Sequence, residues 1–463
     1  MVSNRILRRD DASCGRLATV LRSVLAMHGG LWFGWSGKIA TTPILDTRPD
    51  PRAGFDCAAF DFDRADHEAF YNGFHARALH PLLHSRLHDM RFDREEMAAW
   101  LRINAQLAGL LKTQLRPNDR IWINGLHLLP MAGELRAMGV THRIGLLLHD
   151  AVPASSVLAS LPRHDEAFRG LGACDLVGVQ TAHDLHALRD YLIAFHGAML
   201  DGADGLRVGD RTVRLATFPF GIDVEHMARV AQRAGERDMY RCFRDKLGSH
   251  KLLIGVDRPN PANGVCQRLH AIDHLLQQAP QTAGTFSMLQ ISPPARYDMP
   301  RCVKLDDEIS RHISDVNGRH GGADWTPVRY IKRELRESAL AGYLRMADVG
   351  LMTPLRDGMT LAAKEYVACQ DPADPGVLVL SRFAGAADEL TDAVKVNPLD
   401  VGDVAAGIRT AMRMPLDERR ARWGALMSVL RGRDLARWSD DFMRALTTRT
   451  GAHDTAMPAS RTA

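Results

Sequence analysis

Short apolar runs without polar alternation recur along the chain, and they constrain its fold more than any other feature. Each run is followed by a polar turn and then by a segment with helical periodicity. The runs are 121–123, 144–148, 176–179, 252–256, 349–352 and 377–380. Strands that are apolar on both faces are typical of parallel sheets covered by helices. The pattern therefore predicts an α/β fold, and in such folds ligands bind beyond the carboxyl ends of the strands.

The length of 463 residues predicts two or three domains. A strand ends near 218–223 and a polar helical stretch follows, which predicts an N-terminal domain at 1–224 and a C-terminal domain at 225–448. Residues 449–463 are mostly small and polar, and we expect them to form a disordered tail.

Charge and cysteine content argue against several classes of protein. The chain has 59 Lys and Arg against 55 Asp and Glu, without a long cationic run, which does not favour a nucleic-acid partner. No segment approaches the roughly 18 unbroken apolar residues of a membrane span, and the N-terminus lacks a signal-peptide pattern. The seven Cys show no CxxC spacing. We therefore expect a cytoplasmic protein with small-molecule partners, and a homo-oligomer stays open.

The densest signal of a ligand site lies in 353–366. A strand ends in a turn that contains Asp357 and Gly358, and a run of good helix formers begins after Thr360, a residue type that often caps helices. Such a turn offers backbone N–H groups and a helix N-terminus to an anion. An ordinary turn between a strand and a helix is an equally open alternative.

Two further polar residues directly follow predicted strands. Arg258 presents five N–H donors in a planar fork, which suits a phosphate as well as a surface salt bridge. His149 can donate to a ligand hydroxyl, although a lone His in this position more often only caps a loop. The chain has no P-loop, dinucleotide fingerprint, GxSxG elbow or HExxH motif. The residues by themselves predict an anionic ligand in a crevice and no more.

Several long motifs resemble those of the trehalose-6-phosphate synthase family and follow one another in the same order. They are 3–5, 29–37, 143–149, 353–366, 370–372 and 376–386. The resemblance covers nearly the whole chain and implies two Rossmann-like domains that face each other across a cleft, the GT-B arrangement. It also implies retaining transfer of glucose from UDP-glucose, the donor substrate, to glucose 6-phosphate, with no cofactor and no metal.

The resemblance further implies roles for single residues. Arg258 is expected at the donor diphosphate, and His149 and Asp357 at the donor glucose, which makes these three the expected catalytic residues. The other expected donor-binding residues are Gly15, Arg16, Met359, Thr360, Leu361, Ala362 and Glu365. The expected acceptor-binding residues are Arg5, Tyr71, His80 and Arg296.

Several positions depart from the family pattern, and they cluster in the implied cleft. Among the changes are Gly to Arg16, Trp to His80, Asp to Gly125, Lys to Asn263 and Asn to Thr360. We hypothesise that Arg16 replaces the positive charge lost at Asn263. Two alternatives to an active synthase follow from these changes. One is a non-catalytic relative that binds a sugar phosphate or regulates a partner, and the other is a transferase with an altered acceptor.

Overall fold

The protein consists of two α/β domains, each built on a parallel or largely parallel sheet. The computed structural model describes residues 1–6, 16–42, 44–50, 54–202, 204–294 and 300–448. The predicted disordered tail at 449–463 lies outside the described residues. The two-domain α/β class predicted from the apolar runs is confirmed.

The first sheet has ten strands in the order β3-β4-β2-β1-β5-β6-β7-β10-β9-β8. Its strands are β1 Val2–Arg5, β2 Leu31–Ile39, β3 Leu45–Asp50, β4 Phe55–Phe62, β5 Arg120–Asn124, β6 Arg143–Leu147, β7 Leu176–Val179, β8 Met199–Asp201, β9 Gly205–Val208 and β10 Arg211–Thr217. The central pairs are parallel, whereas β3 pairs with β4, and β9 with β8 and β10, in antiparallel fashion.

The second sheet has six strands in the order β13-β12-β11-β14-β15-β16, and all of its pairs are parallel. Its strands are β11 Lys251–Val256, β12 Phe286–Ile291, β13 Val328–Ile331, β14 Val349–Met352, β15 Val377–Ser381 and β16 Val394–Val396. Every one of the six apolar runs predicted as strands contributes to a strand of one of the two sheets.

Helices cover both sheets. They are α1 Arg16–His28, α2 Arg64–Tyr71, α3 His80–Leu83, α4 Arg94–Lys112, α5 Met131–Ala137, α6 Ser155–Leu158, α7 His164–Ala167, α8 Ala182–His196, α9 Val224–Gly235, α10 Asp238–Leu247, α11 Val265–Gln278, α12 Pro300–His320, α13 Glu337–Met346, α14 Leu361–Cys369, α15 Val401–Arg413, α16 Leu416–Gly432 and α17 Leu435–Thr447. Shorter turns are a π-helical turn at His75–Leu79 and 3₁₀ turns at Leu87–Asp89, Leu126–Leu128, Arg169–Ala173, Pro261–Asn263, Pro280–Thr282 and Gly385–Asp388. Within the described residues, no helix is both long and apolar enough to cross a membrane.

The last helix joins the two domains. Phe442 of α17 stacks on Trp122 of the first sheet, with ring centroids 4.3 Å apart. Gly145 and Gly178 make room for this ring, because a Cβ atom at either position would come within 3.2 Å of Phe442. The domain boundary at residue 224 stays a prediction. C-terminal to it, the chain returns to the first sheet through α17.

Hydrogen bonds from both domains hold the loop that follows β6. Asp184 caps the start of α8, and its Oδ1 also accepts the backbone N–H of Val152 at 2.7 Å. From the other domain, the guanidinium of Arg356 donates to the carbonyl of Val152 at 2.9 Å. The loop that carries His149 is therefore fixed from two sides.

Candidate active site

A cleft of about 1930 Å³ lies between the two domains. Its walls include the residues that follow the carboxyl ends of β5, β6, β11 and β14, as expected for parallel sheets. A pocket for one small ligand usually measures about 300–1,000 Å³. The cleft therefore has room for two ligands side by side.

The turn between β14 and α14 forms one wall of the cleft. The Oδ2 atom of Asp357 accepts the backbone N–H of Thr360 at 2.8 Å, which shapes the turn. Met359, Thr360 and Leu361 line the cleft at the start of α14. Backbone N–H groups at a helix N-terminus attract anions, so this wall suits a phosphate or a sugar hydroxyl.

Thr360 adopts a backbone conformation that is rare for its residue type. Its φ of 50° and ψ of 49° lie in the left-handed region, where a β-branched side chain is strained. Its Oγ1 is buried, and it makes no hydrogen bond with the part of the chain that the structure describes. Strain of this kind is often found at ligand sites.

His149 lies directly against the turn before α14. A Cβ atom on Gly358 would come within 2.1 Å of the His149 carbonyl oxygen, so only glycine allows this approach. Burial lowers the pKa of His149 to about 3, which keeps the imidazole neutral. Its Nε2 lies 3.3 Å from Oδ1 of Asn124, whose amide nitrogen donates to the Val2 carbonyl.

The contact with Asn124 assigns the tautomer of His149. Since Oδ1 only accepts, Nε2 carries the proton and Nδ1 presents a lone pair. Nδ1 is buried, and it makes no hydrogen bond with any described residue. His149 can therefore accept a hydrogen bond from a ligand hydroxyl, whereas the sequence suggested that it would donate one.

Arg258 and Asn263 occupy the loop that follows β11. Nη2 of Arg258 donates to both carboxylate oxygens of Glu334 at 2.9 and 2.7 Å, and Nη1 donates to the carbonyl of Pro294 at 2.7 Å. The salt bridge considered from the sequence is thus present, and Arg258 still lines the cleft. Asn263 donates from Nδ2 to the carbonyl of Arg258 at 2.9 Å. Its side chain fixes the loop and brings no positive charge to it.

The opposite wall is rich in imidazole groups. His80 and His75 line the cleft, and His75 stacks on His127 with ring centroids 3.4 Å apart. Gly125 also lines this wall, with a φ of 89° and a ψ of 164°. A Cβ atom at Gly125 would meet no atom of the described residues within 4 Å, so these residues leave the position of the family carboxylate unfilled.

The other predicted residues to place are Glu365, Ala362, Tyr71 and Arg5. Glu365 and Ala362 line the cleft. Tyr71 is buried and donates its hydroxyl to the carbonyl of Asn4 at 2.7 Å, so the cleft-lining residue is Asn4. The guanidinium carbon of Arg5 lies 5.4 Å from the ring centre of Trp35. The ring of Tyr71 packs against the same tryptophan.

Three predicted residues cannot be placed in the site. Gly15 and Arg296 lie outside the described residues, and Arg16 is described only as the first residue of α1. The hypothesis that Arg16 supplies a positive charge therefore stays a prediction. Among the described residues, no group of three or more His, Cys, Asp and Glu is arranged to hold a metal ion.

The sequence interpretation missed Asp150, which lines the cleft beside His149. The signal that could have found it is its position, because it is a polar residue at the carboxyl end of a buried strand. It also missed His75, whose approach to His127 depends on packing between distant segments.

Comparison with known proteins identifies the family. A model of glycosyltransferase family 20 matches residues 4–448. The chain belongs to that family. Among its relatives, the trehalose-6-phosphate synthase of Sinorhizobium fredii is 39% identical over 456 residues, which cover 96% of this chain and 97% of the relative. The corresponding enzyme of Cronobacter sakazakii is 38% identical over 451 residues, 96% of this chain and 94% of the relative.

Solved structures of trehalose-phosphate synthases share the fold. A UDP-forming alpha,alpha-trehalose-phosphate synthase from Burkholderia xenovorans in complex with glucose-6-phosphate aligns with a TM-score of 0.93 at 39% identity, covering 96% of this chain and 99% of that one. A structure from E. coli bound with UDP-2-fluoro glucose aligns with a TM-score of 0.91 at 36% identity, over 96% and 99% of the two chains. The GT-B arrangement and the family resemblance are both confirmed.

Proposed function

We propose that the chain transfers glucose from UDP-glucose to glucose 6-phosphate with retention of configuration, giving trehalose 6-phosphate and UDP. The observation that carries the proposal is that Arg258, His149 and Asp357, from three different strand ends, all line one cleft. That cleft is large enough for both substrates. Relatives that share over a third of the sequence across nearly the whole chain are synthases of this kind.

The geometry supports division of the cleft between donor and acceptor. Arg258 and the N-terminus of α14 offer positive potential to the diphosphate of the donor. His149, neutral and with Nδ1 towards no described partner, accepts a hydrogen bond from the donor glucose. Glu365, further along α14, is proposed to hold the ribose.

The chemistry needs positioning and charge stabilisation more than a strong base. In a retaining transfer of this type the leaving diphosphate accepts the proton of the attacking hydroxyl on the same face of the sugar. Negative charge grows on the diphosphate as its bond to glucose breaks, and the positive charge of Arg258 and the N–H groups at the start of α14 stabilise that charge. The two domains hold the acceptor hydroxyl against the anomeric carbon.

The test is product formation from purified protein. UDP release from UDP-glucose and glucose 6-phosphate is measured, and trehalose 6-phosphate is identified by its mass. Arg258→Ala should lower kcat/KM by about 10- to 100-fold or more, because it removes a charged hydrogen-bond donor. Arg431→Ala removes an exposed arginine that pairs with Glu225 outside the cleft and should leave activity unchanged. A folded wild-type protein without product would refute the proposal.

His80 and Gly125, on the wall opposite the donor turn, favour a transferase that uses another acceptor. Asn263 favours a further candidate, a relative that binds these ligands without turnover. Its amide is engaged with the Arg258 carbonyl and leaves this position uncharged. Binding of glucose 6-phosphate without UDP release would support the non-catalytic candidate. UDP release with a different sugar phosphate would support the altered acceptor.

Location and assembly belong to the proposal as well. We propose a cytoplasmic protein, because its substrates are charged metabolites and the relatives are biosynthetic enzymes. A homo-oligomer stays an open prediction, which light scattering of the purified protein would test.

A further inference from the structure

Asp150 lies at a point where the two domains touch. It follows His149 and lines the cleft. Its backbone lies against the turn before α14, since a Cβ atom on Gly358 would come within 2.7 Å of the Asp150 carbonyl carbon. Asp150 therefore adjoins the wall proposed for the donor and belongs to the domain that carries the imidazole-rich wall.

The loop that carries Asp150 is held rigidly. Val152, two residues later, is bonded to Asp184 of one domain and to Arg356 of the other, at 2.7 and 2.9 Å. On the preceding side, Gln180 donates to the carbonyl of Leu148 at 2.9 Å. A side chain on such a loop is already in position before a ligand arrives.

The carboxylate of Asp150 differs from other carboxylates on the cleft walls. Glu334 pairs with Arg258, Asp257 with Arg268, and Glu337 with His226. Among the described residues, the Asp150 carboxylate makes no ion pair, and only its own backbone N–H donates to it. Burial, together with the charge of Asp357, raises its pKa, and His84 acts in the opposite direction.

A partly desolvated carboxylate without an ion-pair partner is costly unless a ligand provides a donor. Phosphate groups are excluded as that ligand group, because two anions repel each other. A sugar hydroxyl is a neutral donor and fits. The donor sugar is already served by the turn at Asp357 and by His149, whereas the opposite wall has Gly125 in place of a carboxylate and no described atom within 4 Å of an added Cβ there.

We propose that Asp150 accepts a hydrogen bond from a hydroxyl of the acceptor sugar, an inference that rests on the synthase function proposed above. It makes Asp150 an acceptor-binding residue that does the work of the missing carboxylate at Gly125 from another strand end. The acceptor is then oriented with its hydroxyls towards Asp150 and its phosphate away from it.

Calorimetric binding separates this role from the turnover of the enzyme. The affinity for UDP is measured first, and the affinity for glucose 6-phosphate is measured with UDP bound. Asp150→Ala should weaken the affinity for glucose 6-phosphate by about 10- to 100-fold, the range for a hydrogen bond to a charged group. It should leave the affinity for UDP unchanged. Glu308→Gln removes an exposed carboxylate at the rim of the cleft and should change neither affinity.

A second readout guards against a purely structural explanation. Asp150→Asn removes a partly desolvated charge that no ion pair with a described residue offsets, and it should raise the Tm at neutral pH. The gain should shrink as the pH falls, because protonation then neutralises the wild-type carboxyl group as well. If the Asp150 carboxylate stabilised the fold, Asp150→Asn would instead lower the Tm at neutral pH.

The outcomes are distinct. Unchanged glucose 6-phosphate affinity in Asp150→Ala overturns the inference, and so does a loss confined to UDP. Wild-type protein that binds UDP but not glucose 6-phosphate overturns it too. Wild-type protein that binds both ligands without turnover refutes the proposed synthase activity, while the affinity of Asp150→Ala still decides the role of Asp150.

Discussion

The side chains of Asn260 and His80 meet across the cleft, with 3.3 Å between Nδ2 of Asn260 and Nε2 of His80. Oδ1 of Asn260 accepts the backbone N–H of Ala262 at 3.0 Å, which fixes the orientation of the amide. The amide nitrogen donates, so Nε2 of His80 accepts and the imidazole is neutral. Burial agrees with this, since it holds the pKa of His80 well below its usual 6.5. The two domains are thus joined here by an uncharged histidine.

We expect acid to destabilise the protein through its buried imidazoles. Burial, with His127 and His84 nearby, holds the pKa of His75 well below 6.5. Below that pH the unfolded chain binds more protons than the folded one. The stability that neutral His75 contributes is therefore lost as the pH falls below about 6.5, by up to about 1.4 kcal/mol per pH unit.

The variant His75→Phe isolates this contribution. Phenylalanine keeps a ring against His127 but cannot bind a proton. Urea unfolding at about pH 7 and about pH 5 should show a smaller loss of free energy in the variant than in the wild type. Equal losses in the two proteins would show that His75 does not titrate as its burial implies.

Replacing Thr360 should relieve backbone strain. A left-handed conformation costs a non-glycine residue about 1–3 kcal/mol, and asparagine tolerates it better than a β-branched residue. We expect Thr360→Asn to raise the free energy of unfolding by about 1 kcal/mol. Thr391→Asn is the matched control, because Thr391 is exposed and has no positive φ, and its stability should not change. A destabilised Thr360→Asn would contradict the assignment of strain.

The backbone conformation at position 125 requires glycine, whereas the surrounding residues do not. Its φ of 89° and ψ of 164° lie in a region that is essentially restricted to glycine, although an added Cβ would meet open space. Gly125→Ala should therefore lower stability by about 1–3 kcal/mol. Gly424→Ala, also facing open space but within α16, should instead raise stability by about 0.5–1 kcal/mol. Thermal unfolding of both variants tests the contrast, and a neutral Gly125→Ala would refute it.

The strands and the turn at 357–360 could be predicted because their signals are contiguous in sequence. An apolar run such as 252–256 specifies burial on both faces by itself, and Asp357 bonds to Thr360 only three residues later. The surroundings of Tyr71 and Asp150 could not be predicted in this way. Tyr71 turns to Asn4, and Asp150 acquires its environment from residues as distant as His84 and Asp357, which only the packed domains bring together.

Restoring a lysine at Asn263 should strengthen binding of the donor. Asn263 now donates to the Arg258 carbonyl, and the loop lacks the positive charge implied by the family pattern. A charged hydrogen bond to the diphosphate contributes about 1.5–3 kcal/mol, so Asn263→Lys should raise kcat/KM for UDP-glucose by about 10- to 100-fold. Asn263→Met loses the hydrogen bond to the Arg258 carbonyl without adding charge. It therefore separates the effect of the lost hydrogen bond from that of the added charge, and it should lower kcat/KM. If Asn263→Lys and Asn263→Met lower kcat/KM equally, the position of Arg258 in the loop depends on the side chain of Asn263. The positive charge that binds the diphosphate then comes from elsewhere in the cleft.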